Sequence, residues 1–155
     1  MPGRAGGQMA KIMLYTIGFT KKSAEEFFGK IKDAGVKKVI DIRLNNVSQL
    51  AGFAKRDDLR YFLKTICNCD YEHQTVLSPL QELLDDWQGK KIDWPAYTVR
   101  FSQLIAARPI KDLFSIEDLR DSCLLCAEPT AEHCHRRLVA EHFKELFPEI
   151  GIKHL

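Results

Sequence analysis

The 155 residues, 45% hydrophobic and 28% charged, suffice for one domain with a real core and fall short of two, and no apolar run approaches the roughly 18 residues a membrane helix needs. The formal net charge of +2 comes from basic pairs (Lys21-Lys22, Lys37-Lys38, Lys90-Lys91, Arg136-Arg137) interleaved with acids, which argues against a dedicated nucleic-acid surface, where positive charge concentrates. Five cysteines, an odd number, and an N-terminus without the apolar centre of a signal peptide predict free thiols, a cytoplasmic location and no membrane partner.

Residues 1–10 are small, Gly-rich and weakly basic; they read as a flexible N-terminal arm or remnant, with a single α/β domain expected over residues 11–155. Residues 12–17 (IMLYTI) form an apolar run of strand length, ended by Gly18. Ser23 and Glu26 fit a capping box for a helix whose stripe is Phe27, Phe28, Ile31 and Ala34 and whose stop is Gly35. Residues 38–42 (KVIDI) read as a second strand, and the strand–helix–strand order predicts that these two strands form a parallel pair. After a loop, Asp57 is expected to cap a helix bearing Leu59, Phe62, Leu63 and Ile66, followed by a short strand over residues 71–74. Ser78-Pro79 is expected to open a helix that turns Leu80, Leu83, Leu84 and Trp87 inward and stops at Gly89. Asp93 opens another, through Tyr97, Phe101, Leu104 and Ile105, ending before Pro109; Trp87, Trp94, Tyr97 and Phe101 keep helical spacing and read as core rather than as a base-stacking platform. Residues 122–127 (SCLLCA) are apolar on both faces, as a central parallel strand should be. A final helix over about residues 135–146 carries Leu138, Val139, His142, Phe143 and Leu146 on one face, and residues 150–154 add a last strand. The pattern predicts an α/β fold: a central, mostly parallel sheet of about 4–5 strands flanked by helices, Rossmann-like.

In such a sheet ligands bind outside the carboxyl ends of the strands. Three ends line up: Thr16-Ile17-Gly18, Asp41-Ile42-Arg43 and Cys126-Ala127-Glu128-Pro129. Arg43 and Arg136 would hold an anion there, and Asp41 and Glu128 would orient the arginines or handle protons; the competing reading is an Asp41–arginine pair that ties loops together. Cys126 and Cys134 admit three readings. One is a reactive thiol near a helix start, beside His135 and Arg136. Another is a metal site from Cys126, Cys134 and His135, completed by Glu128 or water. The third is buried packing. Adjacent Cys134 and His135 diverge by about 100° on a regular helix, so shared ligation requires an irregular cap. Cys123 and Cys126 spell C-x-x-C, but on an extended strand they face opposite sides of the sheet and make a poor disulfide. His73, at or near a strand end, either joins the pocket or is an ordinary satisfied histidine. No arginine stands six positions beyond any cysteine, and H-E-x-x-H, the P-loop and G-x-G-x-x-G are absent, which weakens protease, kinase-like and dinucleotide-oxidoreductase readings.

The segment TIGFT at residues 16–20, DIR with Ser48 beyond it, and LLCAE…CHRRLV resemble the "domain of unknown function 488" family, in order and spacing over about residues 13–146. The resemblance implies a compact α/β domain with a shared polar pocket at these motifs. Phe19 stands where the family tends to have histidine, Thr20 where serine is usual, Val47 in place of a proline, and Leu77-Ser78-Pro79 in place of a Leu-Gly-Gly segment. The resulting reading is an enzyme acting on a phosphate- or nucleotide-bearing substrate. Asp41, Cys126, Glu128, Cys134 and His135 are its candidate catalytic residues, and Thr16, Gly18, Arg43, Ser48, His73 and Arg136 its candidate substrate contacts. The alternative is a non-catalytic nucleotide- or nucleic-acid-binding module. No cofactor and no metal are assigned, the expected partner is a small anionic ligand or nucleic acid, and the oligomeric state is left open.

Overall fold

A computed structural model of the chain describes residues 12–46, 52–128 and 130–155; the arm expected over residues 1–10, and Val47, Ser48 and Pro129, lie outside the described residues. Its elements are β1 (Ile12–Gly18), α1 (Ala24–Ala34), β2 (Lys38–Asp41), α2 (Arg56–Cys67), β3 (Asp70–His73), four successive helices α3 (Gln81–Gln88), α4 (Trp94–Ala106), α5 (Ile110–Leu113) and α6 (Ile116–Leu119), then β4 (Ser122–Cys126), α7 (His135–Leu146) and β5 (Ile150–His154). The five strands form one sheet in the order β3-β2-β4-β1-β5, parallel throughout. Every carboxyl end therefore opens on the same edge.

The expected pairing of β1 with β2 does not occur, because β4 lies between them. Burial explains the insertion. All five residues of β4 are buried, whereas β3 and the end of β5 expose polar side chains and occupy the edges; a strand that is apolar on both faces loses most water contact in the middle of a sheet. Side chains alternate across β4. Cys123 and Leu125 pack with Ile17, Val39 and the α1–α2 residues Phe27, Ile31, Leu59 and Leu63. Leu124 packs on the other face with Leu14, Ile40, Tyr97, Phe101, Val139 and Phe143.

Helix starts follow their caps. The Ser23 hydroxyl accepts from the Glu26 amide, Asp93 accepts from the Ala96 amide, and Gly35 closes α1 in the left-handed conformation at φ 74°. Two starts differ from the expectation. The N-cap of α2 is Lys55, and Asp57 sits in the first turn, where its charge faces the helix dipole. The α3 helix begins at Gln81 because the Ser78 hydroxyl donates to the Thr75 carbonyl at 2.6 Å, closing a 3-10 turn over Thr75–Leu77 instead of capping; Leu80 consequently stays 53% exposed.

Candidate functional site

At the carboxyl end of β4, the Cys126 sulfur lies 3.3 Å from His135 Nδ1, and His135 Nε2 lies 3.0 Å from the Ile42 carbonyl oxygen. A carbonyl only accepts, so Nε2 carries a proton, and Nδ1 is the ring nitrogen that faces the Cys126 sulfur. His135 is the first residue of α7, and Cys134, its N-cap, is extended at φ −136° and ψ 140°. That conformation takes Cys134 off the helical screw. The side-chain ligand atoms of Cys126, Cys134 and His135 all lie within 4.8 Å of one another, close enough to share a soft cation. Burial alone would raise the Cys126 thiol. It is outweighed by the hydrogen bond from Cys134, the Arg136 charge and the amides of Glu128 and Ala127, which together hold Cys126 below the ordinary cysteine value. Cys134 goes the other way: burial, then the hydrogen bond and charge of Cys126, push it well above. Cys123, on the opposite face of β4, is raised by burial in the core.

A second cluster sits at the end of β2. Arg43 Nε and Nη2 donate to Asp41 Oδ1 and Oδ2 at 2.8 and 2.7 Å, and the Arg43 amide donates to Oδ1 at 3.1 Å. The Tyr71 hydroxyl donates to Asp41 Oδ2 at 2.6 Å and accepts from Asn46 Nδ2 at 3.0 Å. His73 Nε2 donates to the Arg43 carbonyl at 2.7 Å. The Arg43 guanidinium stands 5.3 Å over the Phe19 ring. Asp41 and Arg43 are 0% and 4% exposed, yet Arg43 Nη1 is buried with no hydrogen-bond partner among the described residues. Tyr71 and Asn46 were not anticipated; a lone tyrosine on a weak edge strand and an asparagine in a loop carry no signal of their own.

Arg136 turns to β1. Its Nε donates to Thr16 Oγ1 at 3.2 Å and its Nη1 to the Glu128 carbonyl at 2.7 Å, while Thr16 Oγ1 is 2.6 Å from Nδ1 of His154. Gly18 is the reason the Glu128 carbonyl can reach Arg136: a Cβ on Gly18 would lie 1.6 Å from that oxygen. Thr16, Gly18 and Arg136 thus form a joint that holds the loop after Cys126.

The Cys126 centre and Arg43 open into one cavity of about 290 Å³, whose lining also includes Glu128 and His133. Trp87, Trp94 and Tyr97 form its aromatic wall. Tyr97 and His133 stack on Trp94, both at 5.1 Å between ring centroids. The aromatics therefore serve both core and cavity, since Tyr97 and Phe101 are buried in the core expected of them. Thr16, His73 and Arg136 do not line the cavity.

Among the described residues no helix is long and apolar enough to cross a membrane. None of the curated proteins and none of the solved structures compared with the chain matches it. The family described as Domain of unknown function DUF488 matches over residues 23–143, a span that takes in both polar clusters and the loop after Cys126, and the chain belongs to that family.

Proposed function

We propose that the chain is a thiol enzyme acting on a small phosphate- or nucleotide-bearing molecule, with Cys126 as nucleophile. The observation that carries this reading is the relay from the Ile42 carbonyl through His135 to Cys126, opening into a cavity also lined by Arg43, whose buried Nη1 has no hydrogen-bond partner among the described residues. A nucleophile held by a base that a third group orients is the general pattern of covalent catalysis. His135 Nδ1 takes the thiol proton as Cys126 Sγ bonds to the electrophilic centre of the substrate. The bond to the leaving group breaks, and the leaving group takes that proton from His135. Water, deprotonated by His135, then cleaves the thio-intermediate and restores the thiol. Arg43 supports an anionic group through Nη1 without losing its two bonds to Asp41, and the aromatic wall suits a flat ring. Glu128, exposed at the rim, is placed to exchange protons with solvent.

The test is carbamidomethylation of the native chain by iodoacetamide at neutral pH, mapped cysteine by cysteine, with 5′-AMP as the competing probe. Cys126 should label ahead of the core residue Cys123, and saturating 5′-AMP should slow it by about tenfold, the equivalent of about 1.4 kcal/mol of protection. If Cys126 stays inert until the protein unfolds, the nucleophile reading is wrong. If 5′-AMP binds the Cys126→Ser variant equally well and no turnover of nucleoside or sugar phosphates is found, the binding-module reading replaces it.

A further inference from the structure

We propose that Cys126, Cys134 and His135 form a binding site for a thiophilic divalent cation of the zinc type, with its fourth ligand drawn from the cavity. Three independent features of the geometry point to it. First, one soft cation needs two sulfurs and an imidazole nitrogen around a common centre. Zinc bonds of about 2.3 Å to sulfur and about 2.0–2.1 Å to nitrogen set tetrahedral ligand atoms roughly 3.5–3.8 Å apart. The three atoms here lie within 4.8 Å of one another, with Cys126 Sγ and His135 Nδ1 at 3.3 Å, so closure takes only side-chain adjustment. Second, the irregular cap that ligation by adjacent residues requires is present, because Cys134 is an extended N-cap and does not share the helical screw of His135. Third, His135 already donates Nε2–H to the Ile42 carbonyl at 3.0 Å. Metal-ligating histidines are oriented by such an outer bond, which fixes the tautomer and leaves the other nitrogen free for the cation.

The ligand set selects among cations. Two thiolates and an imidazole favour Zn²⁺ and Co²⁺ over Mg²⁺ or Ca²⁺, which take oxygen ligands. Cation binding displaces the thiol protons of Cys126 and Cys134 to solvent, and neither cysteine is held in a disulfide. Three protein ligands leave a fourth position on the cavity side for water or a substrate atom, the arrangement of catalytic rather than structural zinc. The consequence for activity rests on the nucleophile reading above. The sulfur lone pair that would attack substrate is then engaged with the cation, so loading the site switches the thiol chemistry off and a chelator restores it.

The full chain, stripped with a chelator under reducing conditions, would be titrated with Co²⁺ alone. The expected result is a near-ultraviolet thiolate-to-cobalt charge-transfer band with intense tetrahedral visible bands. Saturation should come at one equivalent, and Zn²⁺ should bleach both bands. Cys126→Ser and Cys134→Ser should each weaken the charge-transfer band. The double variant should lose it with an unchanged far-ultraviolet circular dichroism spectrum, and Cys67→Ser with Cys69→Ser should leave it as in the parent. A parent chain that shows no charge-transfer band, or a band that survives in the double variant, overturns the metal site. Iodoacetamide labelling separates this outcome from failure of the nucleophile reading. A Cys126 that labels in the stripped chain and is protected by Zn²⁺ supports both; cobalt bands on a chain whose Cys126 never labels leave the metal site standing and remove the nucleophile; ready labelling without cobalt bands does the reverse.

Discussion

Gly18→Ala tests how the joint behind the site is built. The added Cβ would sit 1.6 Å from the Glu128 carbonyl oxygen, 2.7 Å from its carbon and 2.8 Å from Arg136 Nη1. All three neighbours belong to backbone or to a buried, hydrogen-bonded guanidinium, so no flexible side chain can yield. Ordinary contact begins at 3.4 Å, so the loop after β4 must retreat by about 1.8 Å. That retreat breaks the 2.7 Å bond from Arg136 to Glu128. Overpacking costs about 1–3 kcal/mol, and loss of a hydrogen bond from a charged donor about 1.5–3 kcal/mol. The expected loss is about 3–5 kcal/mol, out of a typical total of about 5–15, and a fall in Tm of about 6–20 °C for a chain of this size. Urea and thermal unfolding read the stability. The Ala127 and Glu128 amides that face Cys126 move with the loop, so the iodoacetamide reactivity of Cys126 should change as well. Gly29→Ala is the internal contrast. Gly29 lies inside α1, and a Cβ there meets nothing within 4 Å, so this change should stabilise by about 0.5–1 kcal/mol. A Gly18→Ala protein within about 1 kcal/mol of the parent, with Cys126 reactivity intact, would refute the proposed joint.

Tyr71→Phe removes the 2.6 Å donor to the buried Asp41 carboxylate and should cost about 1.5–3 kcal/mol in urea unfolding; an unchanged midpoint would show that Asp41 is satisfied without it. Both tryptophans of the chain, Trp87 and Trp94, line the cavity. Titrated 5′-AMP should therefore change intrinsic fluorescence saturably, and adenosine, lacking the group for Arg43, should bind about tenfold or more weakly, the loss expected for one hydrogen bond from a charged donor; no saturable signal would remove the cavity as a nucleotide site. Burial lowers the pKa of His154, with Arg136 adding to it, and burial likewise lowers that of His142. Their folded values lie below the unfolded value of about 6.5, so below that pH the unfolded chain binds protons that the native chain refuses. Stability should be level above about pH 7 and fall from there toward pH 5, and His154→Gln should flatten the slope; a pH-independent midpoint across that range would contradict the assignment.

Local chemistry made much of the fold legible. Apolar runs ended by glycine or charge marked the strands, and side-chain caps marked α1 and α4 to within a residue. The α2 and α3 starts were harder because their N-cap residues, Lys55 and Leu80, make no side-chain cap. Four-residue helices such as α5 and α6 are too short to display a period, although Ser115 and Asp118 form a capping box that could have flagged α6. Strand order is a different kind of information. The placement of β4 between β1 and β2 depends on which strand gains most from burial on both faces, a comparison across the whole chain rather than a property of any one segment.

The two arginines show why residue type and position were an incomplete guide to the site. Both stand at the sheet's carboxyl edge and both suited an anion. Arg136 is already engaged by Thr16, 120 residues away, and by a backbone carbonyl that reaches it only because residue 18 has no Cβ. Arg43 is held bidentately by Asp41, which in turn is held by Tyr71, yet it keeps one nitrogen uncommitted. A buried guanidinium proton without an acceptor is costly, and of the two arginines only Arg43 lines the cavity. Phe19, standing where the family resemblance leads one to expect histidine, belongs to this arrangement: its ring lies under the guanidinium at 5.3 Å, supporting the cation from its apolar side without occupying a donor. The imidazole that faces Cys126 is His135, which comes from the first turn of α7.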